Sequence, residues 1–323
     1  EIEFEKVPGS MAKSMRNAPK RIYIAEFFVN YQMAYSQTSI ARGGREFGGG
    51  YRGDAKATLN VAIPGVDPQE LQNLIDELYK TFVDRLKSEG FEIVSADEAG
   101  KTDQFSDWDR KSGGELSQAQ FPGYLGTAPS GFDYFIKKTD DKGREKRGMG
   151  TYQIKLSNDL NGAIVAKVNL AIPFVEEAEG KGSKLLRDAV GGVAKVVIKP
   201  NLRLAQSESV QIGKMSGASV VTSSEFFYKE SLRNAGGVNF KLKKDVEIDG
   251  VFEEKKYKAS ESADTDLWGS DAGHLTIFHF SDKEIENTQP IPCDPQVYVK
   301  GVREVSTQFI KKTLEEFMSV MNN

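Results

Sequence analysis

The sequence of 323 residues is poor in cysteine and histidine, and each scarcity removes a class of site. Its single cysteine, Cys293, excludes an intrachain disulfide. That residue lies in a proline-rich turn at 290–295, where a catalytic nucleophile is not expected. The two histidines, His274 and His279, flank a predicted strand at an odd separation, which turns them to opposite faces. A metal or proton relay shared by both is therefore not expected, and no cofactor is predicted.

Long apolar runs and an excess of one charge are also missing. No stretch of about 18 apolar residues occurs, so no transmembrane segment is predicted, although peripheral membrane contact stays open. With 43 basic and 47 acidic residues, the chain lacks the basic field that attracts nucleic acid. The arginine- and glycine-rich stretch 42–53 is interpreted as a hairpin tip, and the aspartates around Trp268 as a solvated turn rather than a calcium loop.

Recognisable catalytic motifs are absent from the sequence. It contains no nucleophile elbow, no zinc-protease motif and no pair of carboxylates in a familiar frame. A non-enzymatic protein is therefore predicted. An enzyme, in particular a hydrolase with its site in residues 97–150, remains the alternative.

The clearest positive signal in the sequence is a strand followed by an amphipathic helix that packs on a sheet. Leu59, Val61 and Ile63 alternate as a half-buried strand does. Asp67 follows as a helix N-cap, with Pro68 at the first helical position. The apolar stripe of the helix then comprises Leu71, Leu74, Ile75, Leu78, Tyr79, Phe82, Val83 and Leu86.

A second long helix is predicted at the end of the chain, over about 295–321, and strand-like runs fill 151–290. We therefore expect an α+β fold in which a mixed, mostly antiparallel sheet is covered by two long helices, at about 67–89 and 295–321. The strand-like runs are 152–156, 163–175, 193–204, 218–228, 238–248, 251–258 and 274–280, with a short helix at 184–190.

The predicted organisation is an extended N-terminal arm, 1–20, ahead of a single domain, 21–323. Residues 97–150 read as a long irregular stretch, which indicates a functional insertion, an interface or short elements that the pattern misses. A carbohydrate-binding module is thus a further alternative. The aromatic candidates for that ligand or interface surface are Trp108, Phe121, Tyr124 and Tyr134.

The arm contains apolar residues at alternating positions, which is unusual for a frayed terminus. Ile2 and Phe4 share one face of a short predicted strand, and Val7 follows them. Such a strand can pair with its own sheet or add to the open edge of a neighbour. Ile2, Phe4 and Val7 are therefore the predicted partner-binding residues.

Residues 21–29 and 55–96 carry a family resemblance. The apolar strand Arg21–Val29 (RIYIAEFFV), a polar loop and a helix ending in FVDRLKSEGFEIVSADEA resemble the α/β module of the curli secretion-channel (CsgG-like) family, and are similar to the amino-terminal domain of TolB. The resemblance covers about a fifth of the chain and implies no catalytic residues. The chain departs from the family in lacking an N-terminal lipidated cysteine and in carrying Lys and Glu on both faces of the strands at 193–212 and 238–258, which membrane hairpins do not.

The expected function follows from these features. Because the chain opens on Glu1 rather than Met, removal of a signal peptide is expected, with a cloning scar at Gly9-Ser10-Met11 as the rival explanation. We therefore expect an exported protein, periplasmic or extracellular and not lipidated at its N-terminus, with the cytoplasm as the alternative. It is predicted to form homo-oligomers or to dock with other proteins of a cell-envelope or extracellular assembly.

Overall fold

The computed structural model describes residues 1–5, 9–41, 55–148, 152–178, 194–212, 215–230, 235–260 and 288–322. Two short 3₁₀ helices lie at Met15–Asn17 and Asp103–Phe105. The α-helices of this part of the chain are α1 (Gly9–Ser14), α2 (Pro68–Ser88), α3 (Ala96–Ala99), α4 (Tyr152–Asp159) and α5 (Pro295–Asn322).

Strands supply most of the remaining regular structure. In chain order they are β1 (Arg21–Gln32), β2 (Ala34–Ala41), β3 (Ala55–Ala62), β4 (Glu92–Ile93), β5 (Asp109–Ser112), β6 (Tyr124–Thr127), β7 (Asp133–Ile136), β8 (Lys138–Thr139), β9 (Glu145–Lys146), β10 (Ile164–Ile172), β11 (Val175–Glu177), β12 (Lys195–Pro200), β13 (Arg203–Leu204), β14 (Ser207–Ile212), β15 (Met215–Val221), β16 (Ser223–Lys229), β17 (Ala235–Lys241), β18 (Val246–Glu247), β19 (Tyr257–Ser260) and β20 (Thr288–Pro290).

The central sheet has the order β17-β16-β10-β1-β4, and β6 also pairs with β1. β1 runs parallel to β10, from Ile22 beside Ile164 to Tyr31 beside Ile172, with a register shift at Ala25. β10, β16 and β17 are successively antiparallel. The mixed α/β architecture is thus confirmed. The strands differ from the predicted arrangement in being divided among several sheets rather than gathered in one.

A smaller sheet, β2-β3-β20, places two strand-to-helix units side by side. β3 and β20 are parallel, and they lead into α2 and α5 respectively. Each helix begins in the same way: the carboxylate of Asp67 accepts from the amide of Gln69 at 2.9 Å, and that of Asp294 from the amide of Gln296 at 2.8 Å. The Asp-Pro-Gln sequence that both share therefore marks a helix start, because the aspartate satisfies a free backbone N–H.

The apolar stripe of α2 packs as its spacing predicts. Phe82 is fully buried, with its ring 5.6 Å from Phe27 of β1 and 6.3 Å from Phe226 of β16. Phe317 of α5 stacks on the other side of this cluster, 4.0 Å from Phe226. Residues far apart in the chain thus form one core, which ties α2 and α5 to the central sheet.

The insertion and the run 152–156 differ from their predictions. The described residues of the insertion, 97–148, contain the short strands β5 to β9, and β6 joins the central sheet. Their strands are two to four residues long, too short for an alternating pattern to identify. Residues 152–156, predicted as a strand, form the start of α4, whose Leu156 is buried against the sheet. Tertiary packing has overridden the β-like local pattern.

The N-terminal region also differs from an extended arm. Residues 1–5 are extended, but α1 and the 3₁₀ helix at Met15–Asn17 follow, and the Met15 side chain is completely buried. The sequence pattern does not indicate this packing, because one buried methionine among Lys, Arg and other polar residues makes no periodic signal.

Several predictions fall outside the described residues. They concern the arginine- and glycine-rich stretch, the helix at 184–190, both histidines and the acidic turn around Trp268. Among the described helices, none combines the length and apolar character that crossing a membrane requires.

Candidate functional site

The first five residues lie beside the end of β17. Phe4 forms an isolated antiparallel bridge with Leu242. The amide of Glu5 donates to the Lys241 carbonyl at 2.9 Å, and the amide of Lys243 donates to the Glu3 carbonyl, also at 2.9 Å. The arm is thus bridged to the chain just beyond β17, which, among the strands that the structure describes, pairs only with β16.

Two apolar side chains anchor the arm. Ile2 is 7% exposed, and Phe4 is partly buried with its ring 5.5 Å from Phe240 and 5.6 Å from Phe309 of α5. The alternation of Ile2 and Phe4 therefore places both on the face that meets the core. We call the surface formed by Phe240, Leu242 and Phe309 the arm slot.

Charged groups surround this apolar contact without being buried by it. The Glu3 carboxylate lies 2.9 Å from the ammonium of Lys243 and 3.8 Å from that of Lys244. The hydrogen bond from Lys243 lowers the pKa of Glu3. Since these groups are largely exposed, solvent screens their attraction. Their contribution to holding the arm in place is therefore small.

The structure describes two of the three predicted partner-binding residues. Phe4 lies in the slot of its own chain, Ile2 is buried in the same hydrophobic core, and Val7 is outside the described residues. Binding of a second chain by these side chains stays a prediction.

The predicted aromatic surface of the insertion is mostly internal. Trp108, Tyr124 and Tyr134 are 9%, 2% and 8% exposed, and Phe121 is partly buried against Tyr124. The Trp108 ring packs 5.1 Å from Phe105. These four residues therefore hold the insertion on the domain, and the three buried rings do not offer a flat face to a sugar.

Tyr134 also belongs to a polar contact that sequence reasoning missed. Its hydroxyl donates to Glu145 at 2.7 Å, and Glu145 pairs with Arg147 at 2.8 Å. The Arg147 guanidinium stacks on Phe28 of β1, 3.4 Å from the ring centroid. These contacts close the insertion over the strand.

A second missed feature is a buried ionic cluster on the central sheet. Glu26 of β1 lies 3.0 Å from the Lys167 ammonium on the neighbouring β10, and accepts a hydrogen bond from the Tyr152 hydroxyl at 2.8 Å. Burial, followed by the charge of Glu26, raises the pKa of Tyr152 well above its usual value, so the phenol remains a donor. The available signal was one charged residue within each of two apolar runs, because a buried charge requires a partner.

Chemically reactive groups are few in the described part of the chain. Burial raises the pKa of the Cys293 thiol to about 11, so it is protonated at neutral pH and a poor nucleophile. Among the described residues, no group of three or more His, Cys, Asp or Glu side chains is placed to hold a metal ion.

Comparison with known proteins found no matching family model, no matching curated protein and no matching solved structure. The resemblance of residues 21–29 and 55–96 to the curli secretion-channel module therefore stays a prediction.

Proposed function

We propose that this protein acts by assembly rather than by catalysis, and that two copies associate by exchanging residues 1–5. The observation that carries the proposal is the way the arm is held. Phe4 enters an apolar slot, Ile2 is buried in the core, and two backbone hydrogen bonds join the arm to the end of β17. The same segment of a second copy would make the same contacts in that slot.

The energetics of the slot favour a concentration-dependent exchange. A buried Ile or Phe side chain contributes roughly 1.5–3 kcal/mol by leaving water, so the arm leaves its slot only transiently. Contacts within one chain and between two chains are equivalent, which leaves the effective concentration of the arm to decide between them. Reciprocal exchange closes a twofold dimer and does not propagate into fibres.

A disulfide trap tests the proposal directly. Glu3 and Lys243 are antiparallel neighbours, and residues paired in this way have Cα atoms about 5.5 Å apart, within the range for a disulfide. Glu3→Cys and Lys243→Cys are introduced together, with Cys293→Ser removing the native thiol. After oxidation of concentrated protein, we expect a covalent dimer on a denaturing, non-reducing gel.

The controls separate exchange from random cross-linking. Each single cysteine variant, in the same Cys293→Ser background, should give far less dimer than the pair. Phe4→Ala in the paired variant should reduce the dimer, since it removes an anchor of the arm. An intrachain disulfide alone at every protein concentration, with a monomeric mass by light scattering, would refute exchange of the arm.

A further inference from the structure

The hairpin formed by β8 and β9 carries a local excess of positive charge. Residues 137–147 contain six basic and three acidic residues, a net charge of +3 in a chain whose net charge is −4. Two of the three carboxylates are already engaged. Asp140 accepts two backbone amides of the turn that joins the strands, at 2.9 and 3.0 Å, and Glu145 pairs with Arg147 at 2.8 Å.

Three lysines of this hairpin have no carboxylate partner. Lys138 and Lys146 are exposed on the two strands, and Lys142 is exposed in the turn between them. Among the described residues, no carboxylate forms a salt bridge with any of these three ammonium groups. A fourth lysine, Lys137, lies over the Trp108 ring, 5.7 Å from its centroid. We call Lys138, Lys142 and Lys146 the lysine tip.

Strand pairing brings two of these like charges together. Lys138 lies directly opposite Lys146, and the Lys137 amide donates to the Lys146 carbonyl at 2.8 Å. Directly opposite side chains share one face of a hairpin, with Cβ atoms about 4.5–5.5 Å apart, and like charges placed in this way repel. An anion from outside the chain would relieve that repulsion. The pair is therefore an independent sign of an anionic partner.

The backbone of the hairpin is fixed in place, as a docking surface requires. Glu145 points to the face opposite Lys146, where its carboxylate accepts from the Tyr134 hydroxyl at 2.7 Å. Its amide donates to the Gln120 side-chain oxygen at 3.0 Å. A backbone that is already ordered loses little conformational entropy on binding.

The composition of the lysine tip favours a lipid surface over other polyanions. Surfaces that bind single-stranded nucleic acid offer rings on which bases stack, whereas the rings beside the hairpin, Trp108 and Tyr134, are 9% and 8% exposed. Selective phosphopeptide sites use the bidentate fork of arginine, and an ammonium group is only a point charge. Point charges on an exposed turn suit a flat array of negative headgroups.

We propose that the lysine tip docks the protein on an anionic lipid bilayer, with the ammonium groups of Lys138, Lys142 and Lys146 against the headgroups. The large apolar side chains that are exposed in the described part of the chain, Ile40 and Val297, do not belong to the hairpin. The contact is therefore peripheral and electrostatic. Each lysine adds to it separately, and salt weakens it by screening.

Sedimentation of the full chain with lipid vesicles tests the proposal. Vesicles of mixed phosphatidylcholine and phosphatidylglycerol are compared with vesicles of phosphatidylcholine alone, at low ionic strength. We expect binding to the mixed vesicles only, and its loss in salt of about 1 M, where the screening length falls to about 3 Å. Absence of binding to the mixed vesicles, or equal binding to both kinds, would overturn the proposal.

Glutamine substitutions isolate the lysine tip. Lys138→Gln alone should lower the vesicle-binding constant about fivefold, and the triple variant Lys138→Gln/Lys142→Gln/Lys146→Gln about a hundredfold. Thermal stability of the triple variant should be unchanged or higher, because the repulsion between like charges is removed. Wild-type binding by a folded triple variant would refute a role for the lysine tip.

A second triple variant serves as the matched control. Lys87→Gln/Lys300→Gln/Lys311→Gln removes the same charge from exposed positions on α2 and α5. It should bind the mixed vesicles nearly as wild type does. An equal loss in both triple variants would show that net charge, and not the hairpin, governs binding.

A single-stranded oligonucleotide separates a lipid surface from nucleic acid. At the ionic strength where the mixed vesicles bind, we expect no change in its fluorescence anisotropy when the protein is added. Binding of the oligonucleotide as tight as that of the vesicles would overturn the assignment to lipid. The lysine tip shares no residue with the arm, so vesicle binding and the disulfide trap succeed or fail independently.

Discussion

The two faces of β1 are both buried, yet they are buried in different ways. One face presents Phe27 and Tyr31 to α2: the Phe27 ring meets Phe82, and the Tyr31 hydroxyl donates to the Leu71 carbonyl. The other face presents Glu26, which meets Lys167 beneath the insertion and α4. A long amphipathic helix can cover a sheet with apolar contacts alone. The short segments on the opposite face add polar anchors, which fix where each segment lies.

The largest effect is expected on the helix-covered face. Phe82→Ala leaves a cavity among fully packed rings and should cost about 3–5 kcal/mol of unfolding free energy, measured by urea denaturation. Lys87→Ala, at an exposed position of the same helix, is the control and should cost far less. Similar costs for both variants would show that the stripe does not face the core.

A somewhat smaller effect is expected on the polar face. Lys167→Met leaves Glu26 as a buried carboxylate without its cation and should cost about 3 kcal/mol. Combining it with Glu26→Leu removes both charges and should recover much of that loss. If the double variant is no more stable than Lys167→Met, the cluster is not an isolated ion pair, and the distinction between the two faces weakens.

The smallest effect on the unfolding free energy is expected for Tyr79, whose ring packs against Phe27 of β1 and Phe132 of the insertion. Burial raises the pKa of Tyr79 to about 12, whereas an exposed phenol titrates near 10. Between these pH values the unfolded chain releases a proton that the folded chain keeps, so unfolding free energy falls as pH rises. Tyr79→Phe should make this decline shallower, by at most about 1.4 kcal/mol per pH unit.

The unfolding free energies at pH 7 serve as the reference for this pH dependence. At pH 7 the unfolding free energies of Tyr79→Phe and wild type should be close, because both rings are then neutral. Parallel curves across the alkaline range would mean that Tyr79 titrates as an exposed phenol and does not join the two regions.

The helix-covered face could be predicted from the sequence because its signals are local. The alternation at Leu59 to Ile63, the cap at Asp67 and the stripe through Phe82 all lie within one short segment, and the structure places a capped helix there. The structure on the opposite face of β1 could not be predicted in this way. The strands of the insertion are only a few residues long, and they gain stability from partners distant in the chain. Residues 152–156 became a helix for the same reason.

In the candidate site, too, local features could be predicted from the sequence, and contacts between distant elements could not. The alternation of Ile2 and Phe4 marked the arm as a docking strand, but not the slot it enters, since Phe240 and Phe309 come from separate elements. The sequence also does not show that the outer edge of β1 stays unpaired between β4 and β6. That gap arises because β4 ends and β6 begins at different points along β1, and strand lengths and registers of this kind are set by packing.

The sequence by itself determined the elements whose period and caps lie in consecutive residues: the strand Ala55–Ala62 and the helices Pro68–Ser88 and Pro295–Asn322. Their stabilising pattern repeats every two or every three to four residues, so it can be recognised without knowing the partner. Only the tertiary structure decided which charges meet in the interior and where a strand edge stays open. Those features depend on pairs such as Glu26 and Lys167, which are joined by the sheet and not by the chain.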